Sequence, residues 1–216
     1  MKKKEMLINI RQSAAVSIAL MIICGLLFPV VLWGISSVIF PDQANGSLVK
    51  VNGVAVGAEH VGQDFTEPYF MKGRPSAVGY NTYTEDADGN QVKMDGSEFT
   101  GVASGSANYA PTNPELVKRV ESDMEKFLAQ NPDVKKEDIP TDLLTASGSG
   151  LDPHISPASA AIQVPAIAEA SGLTEDKLTT IIEDNTKGKL LGIFGEETVN
   201  VLGVNIEIAQ EMGLLK

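Results

Sequence analysis

The dominant pattern in the sequence is an uninterrupted apolar run near its beginning. Thirty residues between Arg11 and Asp42 contain no Lys, Arg, Asp, Glu or His. A helix rises about 1.5 Å per residue, so about 20 such residues cross the roughly 30 Å hydrocarbon core of a bilayer. Because lipid offers no hydrogen-bond partners to the backbone, the run predicts one transmembrane helix over residues 12–40.

The charges that flank this helix predict its orientation. Four basic residues precede it: Lys2, Lys3, Lys4 and Arg11. Only acidic Asp42 follows closely, so the positive-inside rule places residues 1–11 in the cytoplasm and residues 41–216 outside. A cleaved signal peptide has an apolar region of about 7–15 residues, roughly half the length of this run. The sequence therefore predicts an uncleaved membrane anchor.

A proline interrupts the backbone hydrogen bonding of the predicted span. Pro29 has no N–H to donate to the Gly25 carbonyl, so a kink of the helix is expected there. A partner helix lying against Gly25 and Pro29 would use this notch. Membrane helices also tolerate proline without such a role, so both interpretations stay open.

Beyond the span, the pattern predicts one α+β domain of mixed strands and helices over residues 41–216. Two short strands flank Asn52-Gly53, a pair suited to a tight hairpin turn. The polar stretch 84–99 is expected to be a loop or a surface hairpin, and 139–145 a strand. Helices are expected at 114–130 with Asn113 as N-cap, from Ser156 to Ile162, from Pro165 to Gly172, and after Thr174. Residues 199–212 fit either a strand or a helix, and a helix is preferred.

Composition excludes several kinds of function for this domain. The chain has 17 basic and 28 acidic residues, of which four and one precede the apolar run, leaving a net charge of −14 beyond it. Such a surface does not bind nucleic acid. The two histidines, His60 and His154, are too few for a three-histidine zinc site. Cys24 is the single cysteine, so the chain has no internal disulfide.

The candidate chemistry is incomplete. Asp152 and His154 suit a catalytic pair, but an aspartate that binds backbone amides within a turn is the preferred interpretation. Arg74 is either a ligand contact or a structural tie, and the tie is preferred. Neither Ser106 nor Ser149 has the flanking glycines of a nucleophile elbow. Because the glycine-rich stretch 147–150 also lacks the lysine of a phosphate loop, the residues predict a non-enzyme without a cofactor or metal of its own.

Two loops are unusually rich in small residues. They span 103–114 and 145–157, and their candidate partner contacts are Ser104, Gly105, Ser106, Asn108, Ser147, Gly148, Ser149, Gly150, Asp152 and His154. Ordering glycine costs more backbone entropy than ordering other residues, so local packing is a weak reason for two such loops. A partner surface supplies a reason. The alternative is a pair of turns that cross and support each other.

Residues 142–168, DLLTASGSGLDPHISPASAAIQVPAIA, resemble the C subunits of the Kdp potassium-transporting P-type ATPase. The segments 69–77, 103–114 and 195–205 and the single N-terminal span extend this resemblance over the whole chain. It implies an accessory subunit of a high-affinity potassium pump, assembled in the lipid membrane. The implied partners are a channel-like potassium-translocating subunit, an ATP-hydrolysing subunit and a small single-helix subunit.

The resemblance also implies a catalytic chaperone that raises the ATP affinity of the catalytic subunit, with Gln163 in contact with nucleotide. The predicted orientation places Gln163 across the membrane from cytoplasmic ATP, so such an effect would be allosteric. The alternatives to a pump subunit are a membrane-anchored extracellular binding or sensor module and an anchored hydrolase.

Overall fold

A computed structural model describes residues 3–94 and 96–215 of the chain. It divides into two compact units, Met1–Leu48 and Val49–Lys216. Two residues that entered the sequence predictions, Lys2 of the basic cluster and Asp95 of the polar stretch 84–99, lie outside the described residues. The predicted class, one long apolar N-terminal helix followed by a mixed α/β domain, is confirmed.

The first unit is dominated by a helix that continues from Lys3 to Ile39. It consists of α1 (Lys3–Ile22), a π-helical turn (Ile23–Leu27) and α2 (Phe28–Ile39), followed by the short α3 (Pro41–Ala44). Its large apolar side chains are exposed on all sides, and it is long and apolar enough to cross a membrane. A helix that is apolar all round needs lipid or another protein around it. The boundaries at residues 11 and 40 remain predictions.

A π-helical turn directly precedes Pro29, the residue at which a kink is predicted. The N–H of Phe28 bonds to the carbonyl of Ile23, five residues earlier. In a regular helix the Pro29 ring would press against the Gly25 carbonyl. The wider turn directly before the proline relieves this clash while the helix continues.

The second unit begins with two hairpins. In the first, β1 (Leu48–Val51) pairs with β2 (Val54–Ala58), and the turn residues Asn52 and Gly53 have φ of 51° and 82°. This left-handed pair confirms the predicted tight turn. In the second, β3 (Tyr83–Glu85) pairs antiparallel with β4 (Gln91–Lys93), so the polar stretch is a surface hairpin.

Five helices follow, and their ends confirm the predicted caps. They are α4 (Pro114–Gln130), α5 (Pro157–Ala161), α6 (Val164–Ser171), α7 (Glu175–Asp184) and α8 (Val201–Glu211). Asn113, Ser156 and Thr174 each accept a backbone N–H at a helix start. Gly172, with φ of 75°, ends α6. The helical alternative for the last segment is therefore correct.

The main core lies between these helices and a small antiparallel sheet. The sheet contains β5 (His154–Ile155), β6 (Thr186–Lys187) and β7 (Thr198–Asn200), in the order β5-β7-β6. His154 is opposite Asn200, and Thr186 is opposite Val199. The buried core residues are Met71, Ile155, Ala160, Val164, Ile167, Leu178, Ile181, Ile182, Val199, Val201, Val204 and Ile208.

A second apolar cluster corrects the strand predicted at 139–145. Phe127 of α4 packs against Ile139 and Leu143, which lie beside two 3₁₀ turns, Lys136–Asp138 and Thr141–Leu143. The N–H of Leu143 bonds to the carbonyl of Pro140 at 3.1 Å. Ile139 caps the first turn and Leu143 ends the second, and both residues reach the Phe127 cluster. The run of apolar residues alone does not distinguish such turns from a strand.

Candidate functional site

The two small-residue loops meet directly in the folded unit. The N–H of Gly105 donates to the Ser149 carbonyl at 2.7 Å, and the Ser104 hydroxyl donates to the same oxygen at 3.1 Å. Gly150 has φ of 68°, and a Cβ there would lie 2.7 Å from the Gly105 carbonyl oxygen. Glycine is therefore required where the two backbones cross.

A third segment, residues 73–81, completes this crossing. We call the three segments 73–81, 103–108 and 145–154 the loop junction. The Ser76 hydroxyl donates to the Gly150 carbonyl at 2.5 Å and accepts the N–H of Tyr80 at 2.9 Å. Asn81 exchanges two hydrogen bonds with the backbone of Ala103, at 2.9 and 3.0 Å. These contacts join parts of the chain separated by up to 74 residues.

Arg74 ties the junction together from one side. Its guanidinium donates to Asp152 Oδ2 at 3.2 Å and, through two nitrogens, to the Thr145 carbonyl at 3.3 Å. The other Asp152 oxygen accepts the backbone N–H of His154 at 3.0 Å. Arg74 therefore lies where a structural tie is expected, and Asp152 has the turn role that its sequence position indicated.

Tyr80 lies against this ion pair. Its hydroxyl donates to the Arg74 carbonyl at 2.7 Å. Burial, reinforced by the charges of Asp152 and Asp64, raises the pKa of Tyr80 to about 12. The phenol therefore stays protonated and acts as a hydrogen-bond donor rather than as a base.

The Asp152 and His154 side chains are close but not arranged as a catalytic pair. Nδ1 of His154 lies 3.8 Å from Asp152 Oδ1, beyond hydrogen-bond distance. Burial lowers the pKa of His154, against the raising effect of Asp152, so the imidazole is neutral at pH 7.

The predicted contact residues divide into an inner and an outer group. Ser147 and Gly150 are buried at the crossing, and Gly105 and Ser106 are half-buried. The exposed members are Ser104, Asn108, Gly148 and Ser149. Ser106 and Asn108 also line an open cleft of about 460 Å³ beside Arg119 and Asp123, which form a 2.7 Å ion pair. Gly25 and Pro29 belong to the helical unit.

Gln163 is part of the domain interior. Its side chain is 2% exposed. Oε1 accepts the N–H of Lys72 at 2.9 Å, while Nε2 donates to the carbonyls of Lys72 and Ser159 at 3.2 and 2.9 Å. All of these contacts are structural. A nucleotide contact by Gln163, implied by family resemblance, remains a prediction.

The sequence predictions missed Asn205 and Asp142. Asn205, 2% exposed on α8, exchanges hydrogen bonds with the backbone of Met71 at 2.7 and 2.9 Å. Asp142 accepts the Ser156 N–H at 2.7 Å and the hydroxyls of Ser156 and Ser159. The available signal for Asn205 was a polar residue on the apolar face of the last helix. Asp142 carried no comparable signal.

The described part of the chain also holds no metal-binding cluster. Residues 3–94 and 96–215 contain no cluster of three or more His, Cys, Asp or Glu side chains able to hold a metal ion. The contacts at the loop junction are those of backbone held against backbone. The arrangement can present a rigid surface of small side chains, and its polar groups already bond to one another.

Among the described residues, one helix is long and apolar enough to cross a membrane, and it is joined to one folded domain, which is the architecture of a single-pass membrane protein. A family model described as "KdpC: K+-transporting ATPase, c chain" matches residues 10–210. The chain belongs to this family, the C subunits of the Kdp potassium-transporting ATPase.

Curated relatives match over nearly their full length. The potassium-transporting ATPase KdpC subunit of Clostridium kluyveri is 60% identical over 206 residues, covering 95% of each chain. That of Clostridioides difficile is 58% identical, covering 96% of this chain and 99% of the relative. The KdpC subunit of Caldanaerobacter subterraneus is 40% identical, covering 94% and 96%. The resemblance noted in the sequence is thereby confirmed, and the chain is a subunit of a potassium-transporting ATPase complex.

Proposed function

We propose that this chain is an accessory, non-catalytic subunit of a high-affinity, ATP-driven potassium uptake pump. It anchors itself by the helix Lys3–Ile39 and holds its folded domain outside the cell. There it assembles with and stabilises the potassium-translocating subunit, with the ATP-hydrolysing subunit and a small single-helix subunit in the same complex. Family membership supports the pump, and the basic residues before the helix support the orientation.

Family membership supports the pump, and the loop junction is the observation that supports the proposed contact with another subunit. It holds exposed small side chains, among them Ser104, Gly148 and Ser149, on a backbone fixed by hydrogen bonds from three segments. Small side chains let another protein approach the backbone closely, and a fixed backbone loses little entropy on binding. The outer face of the potassium-translocating subunit is the partner we propose for this surface.

Any effect of the chain on ATP affinity is proposed to be indirect. Gln163 is enclosed by Lys72 and Ser159, and the proposed orientation puts the membrane between it and cytoplasmic nucleotide. A subunit that favours one state of the complex changes ATP affinity through linkage, without touching ATP. The proposed chaperone role therefore depends on assembly.

Ser149→Trp tests the surface. The side chain is exposed, and its hydroxyl bonds to Ser147 and accepts the Leu151 N–H, each at 3.1 Å. The unfolding midpoint of the full chain in detergent should therefore fall only slightly, while its retention in the affinity-purified complex falls several-fold. Thr180→Trp, on the exposed side of α7, is the matched control and should be retained normally. If Ser149→Trp instead unfolds the chain and assembly falls only in proportion, the loops are scaffold and the contact lies elsewhere.

A further inference from the structure

A cleft lies between the C-terminal end of α4 and the helices α5 and α6. It has a volume of about 180 Å³, and its apolar lining consists of Pro132, Val134, Ala161, Ile162, Pro165 and Ala166. A cavity of about 150 Å³ with apolar walls holds a molecule the size of benzene. The cleft therefore has room for a small organic molecule and offers it an apolar surface.

Asn131 lines the same cleft and has an unpaired acceptor. The residue is 6% exposed, and its Nδ2 donates to the Phe127 carbonyl at 2.9 Å. Within residues 3–94 and 96–215, Oδ1 of Asn131 is the one buried side-chain nitrogen or oxygen without a hydrogen-bond partner. Exchanging the two amide atoms would set oxygen against the Phe127 oxygen, so the unpaired atom is the acceptor. A buried acceptor without a donor costs folding free energy, which a donor that reaches it recovers.

The position of Asn131 leaves its amide adjustable. It is the C-cap of α4, and its backbone N–H also bonds to the Phe127 carbonyl, at 2.9 Å. The χ2 torsion of asparagine has a broad range of allowed values, so the amide plane turns at little cost. Because the backbone N–H keeps the helix end closed, a small turn of the amide can present Oδ1 to a donor in the cleft.

The charge around the cleft favours a cation. The described residues that line it include two charged side chains, Asp133 and Glu169, and both are acidic and exposed. The last turn of α4 has no basic side chain to balance the partial negative charge of the helix C-terminus. A ligand that carries positive charge and donates hydrogen bonds matches both the acidic rim and the unpaired oxygen.

The geometry points to a binding site for a small primary ammonium ion with a short alkyl chain. The ammonium group donates to Oδ1 of Asn131 near the acidic rim, and the alkyl chain contacts Val134 and Ile162. A carboxylate of the same length brings like charge to the rim and no donor, whereas an alcohol brings a donor without charge. The cleft shares no lining residue with the loop junction, so this binding is independent of the proposed assembly with other subunits.

Three probes of equal chain length test the chemistry. The n-butylammonium ion, 1-butanol and butyrate are titrated against the full chain in nanodiscs of zwitterionic lipid, followed by methyl NMR. We expect n-butylammonium to shift the Val134 and Ile162 methyl signals saturably, leaving that of Val199 in the main core unchanged. It should bind at least fivefold more tightly than 1-butanol, and butyrate should not bind. No saturable shift with n-butylammonium, or equal affinity for 1-butanol, would overturn the inference.

Two substitutions test the residues. Asn131→Leu removes the acceptor at similar size and should weaken n-butylammonium binding at least tenfold. Glu169→Gln, at an exposed position, leaves the fold intact and should weaken binding several-fold while reducing its dependence on salt. Glu175→Gln, equally exposed at the start of α7, is the matched control and should bind as wild type does. Wild-type affinity in Glu169→Gln, or in a folded Asn131→Leu chain, would refute the assignment.

Discussion

Gln163 and Asn205 bind the peptide groups of two consecutive residues. Gln163 bonds to the N–H and C=O of Lys72, and Asn205 bonds to those of Met71. A side-chain amide has a donor and an acceptor, so each one satisfies both backbone groups of one residue. The segment that leads into the loop junction is thereby fixed to the core.

Replacing either amide by alanine should destabilise the fold. Gln163→Ala and Asn205→Ala each leave backbone groups without partners, at a cost of about 1–3 kcal/mol per buried group. Chemical unfolding of the full chain in detergent, followed by circular dichroism, measures this loss. Gln210→Ala, exposed on the same helix as Asn205, should be nearly neutral. Unchanged stability in Gln163→Ala, together with loss of nucleotide binding, would favour the role implied by the family instead.

Asp142 makes the domain sensitive to acid. Burial alone raises the pKa of this carboxyl, but hydrogen bonds donated by Ser159 and Ser156 outweigh it and hold the pKa below its ordinary value. The carboxylate therefore stabilises the fold at neutral pH. This contribution is lost as the pH falls below about 4, the pKa of an unfolded aspartate, and through the lower folded pKa.

Asp142→Asn tests this dependence. We expect lower stability than wild type at pH 7 and a shallower decline of stability with falling pH below about 4, because one depressed carboxyl has been removed. Unfolding midpoints measured across that range give the slope. Asp138→Asn, at an exposed position nearby, provides the comparison. Parallel curves for wild type and Asp142→Asn would contradict the assignment.

Local chemistry made most of the elements predictable. Asn113, Ser156 and Thr174 satisfy N–H groups at helix starts, and Asn52-Gly53 accepts the left-handed turn. These signals act over a few residues. The strand predicted at 139–145 was wrong because the apolar residues of this segment pack against Phe127. A tertiary contact of that kind leaves no local pattern in the sequence.

The site was predictable only in part, for the same reason. Its two glycine- and serine-rich loops stand out in the sequence, whereas their contact across Gly105 and Ser149 depends on the whole fold. The third segment, with Ser76 and Asn81, gives no local sign of its contacts with Gly150 and Ala103. Asn81 and Ala103 are 22 residues apart in sequence, and Ser76 and Gly150 are 74 apart. Hydrophobic periodicity, which acts over a few residues, gives no information on contacts at such separations.

Two glycines in one loop should respond differently to alanine. Gly150→Ala places a Cβ against the Gly105 carbonyl and forces a left-handed alanine, which should cost about 1–3 kcal/mol. Gly148→Ala meets no atom within 4 Å and is the matched control. Thermal unfolding of the full chain compares them. Equal midpoints would mean that the loops are not held together in solution as described.

The distribution of charge along the chain supports the proposed orientation of the molecule in the membrane. Lys3, Lys4 and Arg11 lie at one end of the apolar helix, while the strongly acidic domain follows the other end. Positive charge is retained in the cytoplasm during insertion, and long acidic domains cross without a comparable barrier. The orientation is set within the first unit, because the basic residues and the apolar helix both belong to it.

A reporter fusion tests this orientation. Alkaline phosphatase folds only outside the cytoplasm, so its fusion after Lys216 should be active in intact cells if residues 41–216 are outside. Replacing Lys3, Lys4 and Arg11 by glutamine in the same fusion should reduce activity by weakening the charge bias. An inactive fusion of a well-expressed chain would reverse the proposed orientation.

The π-helical turn changes the direction in which side chains point on one side of it relative to the other. A turn that holds one extra residue rotates everything beyond it by about 100° relative to a regular helix. Side chains of α1 and α2 that a helical wheel aligns on one stripe therefore point in different directions on either side of Ile23–Leu27. In a tryptophan scan of the span, positions that disturb assembly should recur every three to four residues within each half. Across the π turn, the second series should be out of phase with the first by one residue.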